Sequence, residues 1–177
     1  MTSRKTFPIA AAAVIGAGIF ALPVKAGGDK VAFPANFASG VLYATVDRPD
    51  NKQFRELYAS QAAIDATKKG QPLPDGTVLT MVQYAAKLGA DGNPEKDANG
   101  RFIKTNIVGY TVMEKRKGWG AEYPDTMRNG EWEYQAFTPD KAVNAKANLT
   151  NCFNCHKPLD KADFVFSYDR LKSFVKK

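Results

Sequence analysis

Cysteine and histidine are scarce in this chain of 177 residues, which has two cysteines and a single histidine. A structural zinc site takes four ligands, so three Cys and His residues in total do not supply one. The single histidine likewise excludes a pair of histidines on the two axial positions of any bound iron. No cluster of Lys and Arg resembles a nucleic-acid face, although the formal charge is +7. No linker and no internal repeat interrupts the chain, which beyond its first 26 residues is the size of one domain.

All three scarce residues fall in one run, Cys152-Phe153-Asn154-Cys155-His156. Cys-x-x-Cys-His is the attachment signature of a c-type haem. Two thiols three residues apart can each add across one vinyl group of a single porphyrin. The following imidazole then lies under the ring, where it can ligate iron. Cys152 and Cys155 are thus the candidate attachment residues for one haem c, and His156 is the candidate metal ligand. Two rival readings are weaker. A thioredoxin-like redox pair opens a helix after a strand in a βαβ unit, and no such unit precedes this motif. A disulfide between Cys152 and Cys155 would close a short, strained loop.

The first 26 residues read as a secretory signal. Arg4 and Lys5 precede an apolar stretch over residues 7–24, and Val24-Lys25-Ala26 places small residues where a signal peptidase cuts. An uncleaved anchor is the alternative, but a polar chain follows directly. Export fits haem attachment, which bacteria complete outside the cytoplasm, so the expectation is a periplasmic protein of residues 27–177 that leaves the membrane once cleaved. Cleavage removes Arg4, Lys5 and Lys25 and no acid, lowering the charge from +7 to +4. Mild positive charge suits an acidic redox partner protein, although ordinary solvated charge explains it as well.

Residues 40–47 have the β-branched and aromatic content of a strand, stopped by Pro49 and Asp50. Asp50-x-x-Gln53 reads as a capping box, and Phe54, Leu57, Tyr58, Ala62 and Ile64 approximate a helical stripe over 51–69 that ends at Gly70. Strands are predicted at 77–87, 107–115 and 131–138. The turn signals over 89–101 predict a long hairpin whose tip lies far from the core. A short alanine-rich helix is predicted from Pro139 to about Asn148, and a last one over 168–176. The fold class is therefore α+β: an antiparallel sheet with flanking helices and the haem attached near the C-terminus.

With one axial position taken by His156, the other holds methionine, lysine, water or nothing. Met81, Met113 and Met127 are the methionines left after signal cleavage. Met81 on iron would make an electron carrier, whereas core packing on a strand is its bland reading. An unfilled position would bind a small ligand such as nitric oxide. Trp119, Tyr123, Trp132, Tyr134 and Phe137 can line a haem pocket, although residues on strands pack the sheet core by default.

Five segments in order carry a resemblance: Phe54-Arg55-Glu56-Leu57-Tyr58, Pro74-Asp75-Gly76-Thr77-Val78, Glu131-Trp132-Glu133-Tyr134, the haem motif, and Asp163-Phe164-Val165-Phe166. Together they resemble cytochrome P-460 and its relatives, the β-type cytochromes c-prime. The resemblance implies an antiparallel sheet with flanking helices, a homodimer, and a five-coordinate haem with an open distal face. It implies nitric oxide or hydroxylamine as ligand. Arg55 matches an arginine over that distal face, where a guanidinium can donate to a bound ligand; a solvated arginine paired with an acid is the plain alternative. One departure stands out. The P-460 cofactor carries a crosslink from a lysine, and the matching position here is Met81; Lys87 is six residues further along. The readings are therefore a mono-haem cytochrome that binds nitric oxide or a related nitrogen ligand with one-electron exchange, an electron carrier with Met81 on iron, a hydroxylamine or nitric oxide oxidoreductase, and an exported dithiol protein without haem. Whether it is an enzyme is left open by the residues alone.

Overall fold

The computed structural model describes residues 29–175, so the expected signal peptide over 1–26 lies outside the described residues. Five strands form one antiparallel sheet in chain order: β1 (Val41–Arg48), β2 (Gln53–Ala59), β3 (Val78–Ala86), β4 (Lys104–Lys115) and β5 (Trp132–Phe137). Three short helices accompany them, α1 (Gln61–Lys68), α2 (Leu149–His156) and α3 (Tyr168–Ser173). The α+β class expected from the sequence is the observed one. α3 packs on α1 and β1, and α2 packs on β5.

Strand alternation gives the sheet two apolar faces. On the helix side Leu79, Met113, Trp132 and Tyr134 join Ile64, Phe153, Val165 and Leu171. On the back Val82, Tyr110, Val112 and Phe137 pack under Val31, Phe33 and Phe37 from the segment before β1. A bulge between Leu42 and Ala44 leaves Tyr43 without a cross-strand partner, and its hydroxyl meets Ser167 Oγ at 2.8 Å beside α3.

Four sequence expectations are corrected. Residues 51–69 are not one helix. The stretch Gln53–Ala59 is a strand paired on both sides, Leu57 facing Ala44 in β1 and Met81 in β3. Phe54, Leu57 and Tyr58 mimic a helical stripe, but the ladders to two neighbours outweigh that weak local preference. Helix starts only at α1, where Ser60 rather than Asp50 is the cap and its side chain accepts from Ala63 N at 3.2 Å. Asp50 instead pairs with Arg48.

The second correction concerns residues 139–148, which form turns rather than a helix. Lys141 is left-handed at φ 69°, Thr138 N donates to Ala142 O, and Val143 bridges back to Phe137. A return onto the edge of β5 satisfies backbone that a small alanine helix would have left with little to bury. The hairpin between β3 and β4 is present, but its far end does not stand clear. Phe102 is buried, Arg101 Nε donates to Asp47 Oδ2 at 2.7 Å, and Lys52 Nζ reaches Gly92 O. The last helix is shorter than 168–176, ending at Ser173.

Glu133 on β5 is fully buried, with Oε2 accepting from Tyr123 Oη at 2.8 Å and Oε1 unpartnered among the described residues. Burial raises its pKa above the usual 4.5. A carboxyl raised in the folded state stabilises it below its unfolded pKa, and that contribution is lost as pH rises. Glu133→Gln is therefore expected to change Tm little below about pH 4.5 and to stabilise near neutrality, by about 1–3 kcal/mol. Thermal melts across pH check this; an equal effect at both ends would mean that the charge is not the cause.

Candidate functional site

Helix α2 carries the Cys-x-x-Cys-His run and is seated by its one buried residue. Asn148 caps it, accepting from Thr150 N at 3.1 Å. Phe153 is fully buried, its ring centroid 4.8 Å from those of both Tyr123 and Tyr134. Asn129 Nδ2 donates to Phe153 O and to Tyr134 Oη, each at 3.0 Å. Helical spacing then puts Cys152, Cys155 and His156 together, one and the same face at i, i+3 and i+4. All three line a cavity of about 510 Å³ between α2 and the sheet.

His156 is held in one tautomer. Its Nδ1 lies 2.6 Å from Phe164 O. A carbonyl only accepts, so Nδ1 carries the proton and Nε2 keeps its lone pair. Burial lowers the imidazole pKa, partly opposed by the Phe164 carbonyl, and the neutral ring is favoured. Tyr134 and Phe166 flank it at 5.0 and 5.1 Å between centroids.

The facing wall is the sheet. Leu57, Met81 and Thr111 are directly paired across β2, β3 and β4 and lie in one row of the lining. Met81 lies on a strand, as expected from the sequence, and its side chain lines the cavity. Met113 lines it too, whereas Met127 packs against the core. Arg55 also reaches the cavity, but from β2 rather than from the helix expected for it. It is half-buried, and its guanidinium donates to Gln53 Oε1 at 3.1 and 2.8 Å. Burial and the neighbouring Arg48 lower its pKa, yet a guanidinium stays charged near neutrality. Lys87 is elsewhere, paired with Glu95.

Of the five late aromatic residues, only Tyr134 lines the cavity; Trp119 and Phe137 pack on the back, Tyr123 and Trp132 in the core. Sequence reasoning did not find Tyr43, Arg48 and Arg170, which also border the cavity. Arg170 Nη1 donates to Thr45 O, a contact across 125 positions of chain that no local pattern announces.

The family profile described as Cytochrome P460 matches residues 34–167, which include all five strands and the Cys-x-x-Cys-His run. The chain belongs to the cytochrome P460 family. A search of curated proteins finds no match. Membership makes this a haem-binding cytochrome, and the P460 fold here suits that group. The cavity is in the size range of small-molecule sites, mostly apolar, and bordered by an imidazole with a free Nε2.

The two thiols of this P460 domain are unpaired, Cys155 exposed and Cys152 half-buried. Burial pushes the Cys152 thiol up, the opposite of what a redox-active dithiol needs. In haem-free protein Cys155 is expected to alkylate about tenfold faster than Cys152, read by peptide mass spectrometry; equal rates would mean that α2 is not seated as described.

Proposed function

We propose that this P460 protein is an exported mono-haem c-type cytochrome that binds nitric oxide or a related small nitrogen ligand, with one-electron exchange. The observation that carries this reading is the commitment of His156 Nδ1–H to Phe164 O, which leaves Nε2 as a donor at the cavity. Haem iron supplies a redox-active metal with affinity for nitric oxide. Cys152 and Cys155 hold the group by thioether bonds, each S–H adding across a vinyl so that sulfur bonds one carbon and hydrogen the other. Leu57, Met81 and Thr111 limit water on the sheet side. Arg55 provides the charged N–H donor there, and its neutral partner Gln53 leaves that charge uncompensated by a direct ion pair among the described residues. The signal-like residues 1–26 and the need to attach haem outside the cytoplasm support a periplasmic location.

Met81 favours this reading over hydroxylamine oxidation, because a thioether cannot make the amine crosslink of the P-460 cofactor. A second reading keeps one observation in its favour. Met81 lies in the cavity wall, so ligation by its sulfur would make the protein an electron carrier.

Haem is expected to stay with the chain through acid–acetone extraction, and loss of all haem in that step would overturn covalent attachment. Spectra of the ferric and ferrous protein, with and without nitric oxide, separate the two readings. A high-spin ferrous spectrum that shifts with nitric oxide supports ligand binding; a low-spin spectrum that resists it, and turns high-spin in Met81→Ala, supports the carrier. Arg55→Leu should speed nitric oxide release by about tenfold or more, since a hydrogen bond from a charged donor contributes about 1.5–3 kcal/mol. An unchanged release rate would remove Arg55 from the ligand site.

A further inference from the structure

A short 3-10 helix, Lys157–Ala162, follows α2 and ends in a turn whose conformation the chain does not adopt readily. Asp163 and Phe164 are consecutive non-glycine residues at φ 49° and 60°. Left-handed backbone is tolerated by glycine, asparagine and aspartate but is costly for a bulky side chain, so the strain here falls on Phe164. Such strain persists only where the surroundings over-determine it.

Here the surroundings converge on one carboxylate. Asp163 Oδ2 accepts from Leu73 N at 3.0 Å, Lys115 Nζ reaches both oxygens at 3.0 and 2.7 Å, and Trp132 Nε1 points to Oδ1 at 3.4 Å. Those donors belong to the loop after α1, the end of β4 and the start of β5. Asp163 and Lys115 are both mostly buried, at 17% and 15% side-chain exposure, so solvent screens the pair only weakly. The next residue supplies the carbonyl that His156 Nδ1 contacts at 2.6 Å.

We propose that Asp163 is a positioning residue for His156: by tying the strained turn to the sheet, it presents Phe164 O to Nδ1 and so sets the tautomer and donor strength of Nε2. This rests on the reading of His156 as the iron ligand. A partner that accepts from the far nitrogen of a ligating imidazole fixes its orientation and raises its basicity. Asp163 does not touch the cavity-facing nitrogen itself. It acts through the backbone of its neighbour.

The test uses the protein as purified with its haem, as wild type, Asp163→Ala and Asp163→Asn. Asparagine tolerates the left-handed backbone and keeps an acceptor for Leu73 N, but loses the charge facing Lys115. Resonance Raman of the ferrous protein reads the iron–histidine stretch, which a purely structural role would leave alone. The expected result is a shift to lower frequency in the alanine variant and a smaller shift in the asparagine variant. A wild-type band in both, whatever happens to Tm, overturns the proposal. If the alanine variant does not fold, the asparagine variant decides by the same criterion. If wild type itself has no iron–histidine band, the same spectra are taken in a Met81→Ala background, which vacates a sixth position held by that sulfur; no band there either means that the ligation reading fails separately. Nitrogen NMR of the imidazole, unambiguous because His156 is the only histidine, then decides: a wild-type Nδ1–H tautomer that becomes mixed in the asparagine variant supports the role of Asp163, and an unchanged tautomer overturns it.

Discussion

A neutral imidazole has one N–H and one lone pair, and everything the cavity can do depends on which nitrogen holds which. In this protein the choice is made by a backbone carbonyl, Phe164 O, against His156 Nδ1. Nothing in the helix that carries His156 imposes it. The carbonyl arrives from a left-handed turn eight residues later, and that turn is tied to the sheet through Asp163. The donor nitrogen at the cavity is therefore a property of the sheet, the helix and the turn together.

The two faces of the sheet divide the remaining work. On the helix side the lining alternates between apolar residues and a few polar ones, with Arg55 the charged member on β2. On the back the same strands bury carboxylates under the opposite rule, that each must find donors. Glu56 accepts from Lys104, Tyr58 and Tyr84 and its pKa is lowered despite burial, whereas Glu133, with only Tyr123 beside it among these contacts, is raised. Period-two alternation places a strand residue on one face or the other, so a shift of one position in β2 would exchange Arg55 for Glu56 at the cavity. Register is thus a functional constraint as well as a structural one.

Much of this was legible in the residues. Strands β1, β3, β4 and β5 were marked by β-branched and aromatic runs bounded by turn residues. The thiol pair and imidazole were legible because their chemistry needs fixed local spacing. β2 was not, because Phe54, Leu57 and Tyr58 fit two periodicities and only the neighbouring strands choose between them. The segment over 139–148 misled for a related reason: alanine favours helix locally, but the edge of β5 offered a better set of hydrogen-bond partners. Arg55, expected from the resemblance to lie over a haem face, lines the cavity from a strand rather than from the helix assigned to it.

By itself the sequence determined the chemistry available: two thiols and one imidazole in a single helix-compatible run, and no second histidine to oppose it. Composition and short spacing are local properties, so no fold was needed to read them. Tertiary structure alone decided the tautomer of His156, the strand position of Arg55, the row of Leu57, Met81 and Thr111, and the approach of Arg170 to β1. The tautomer is set by a carbonyl eight residues on; the others depend on residues tens of positions apart being brought within a few ångströms by sheet pairing and core packing, and no pattern along the chain encodes those contacts.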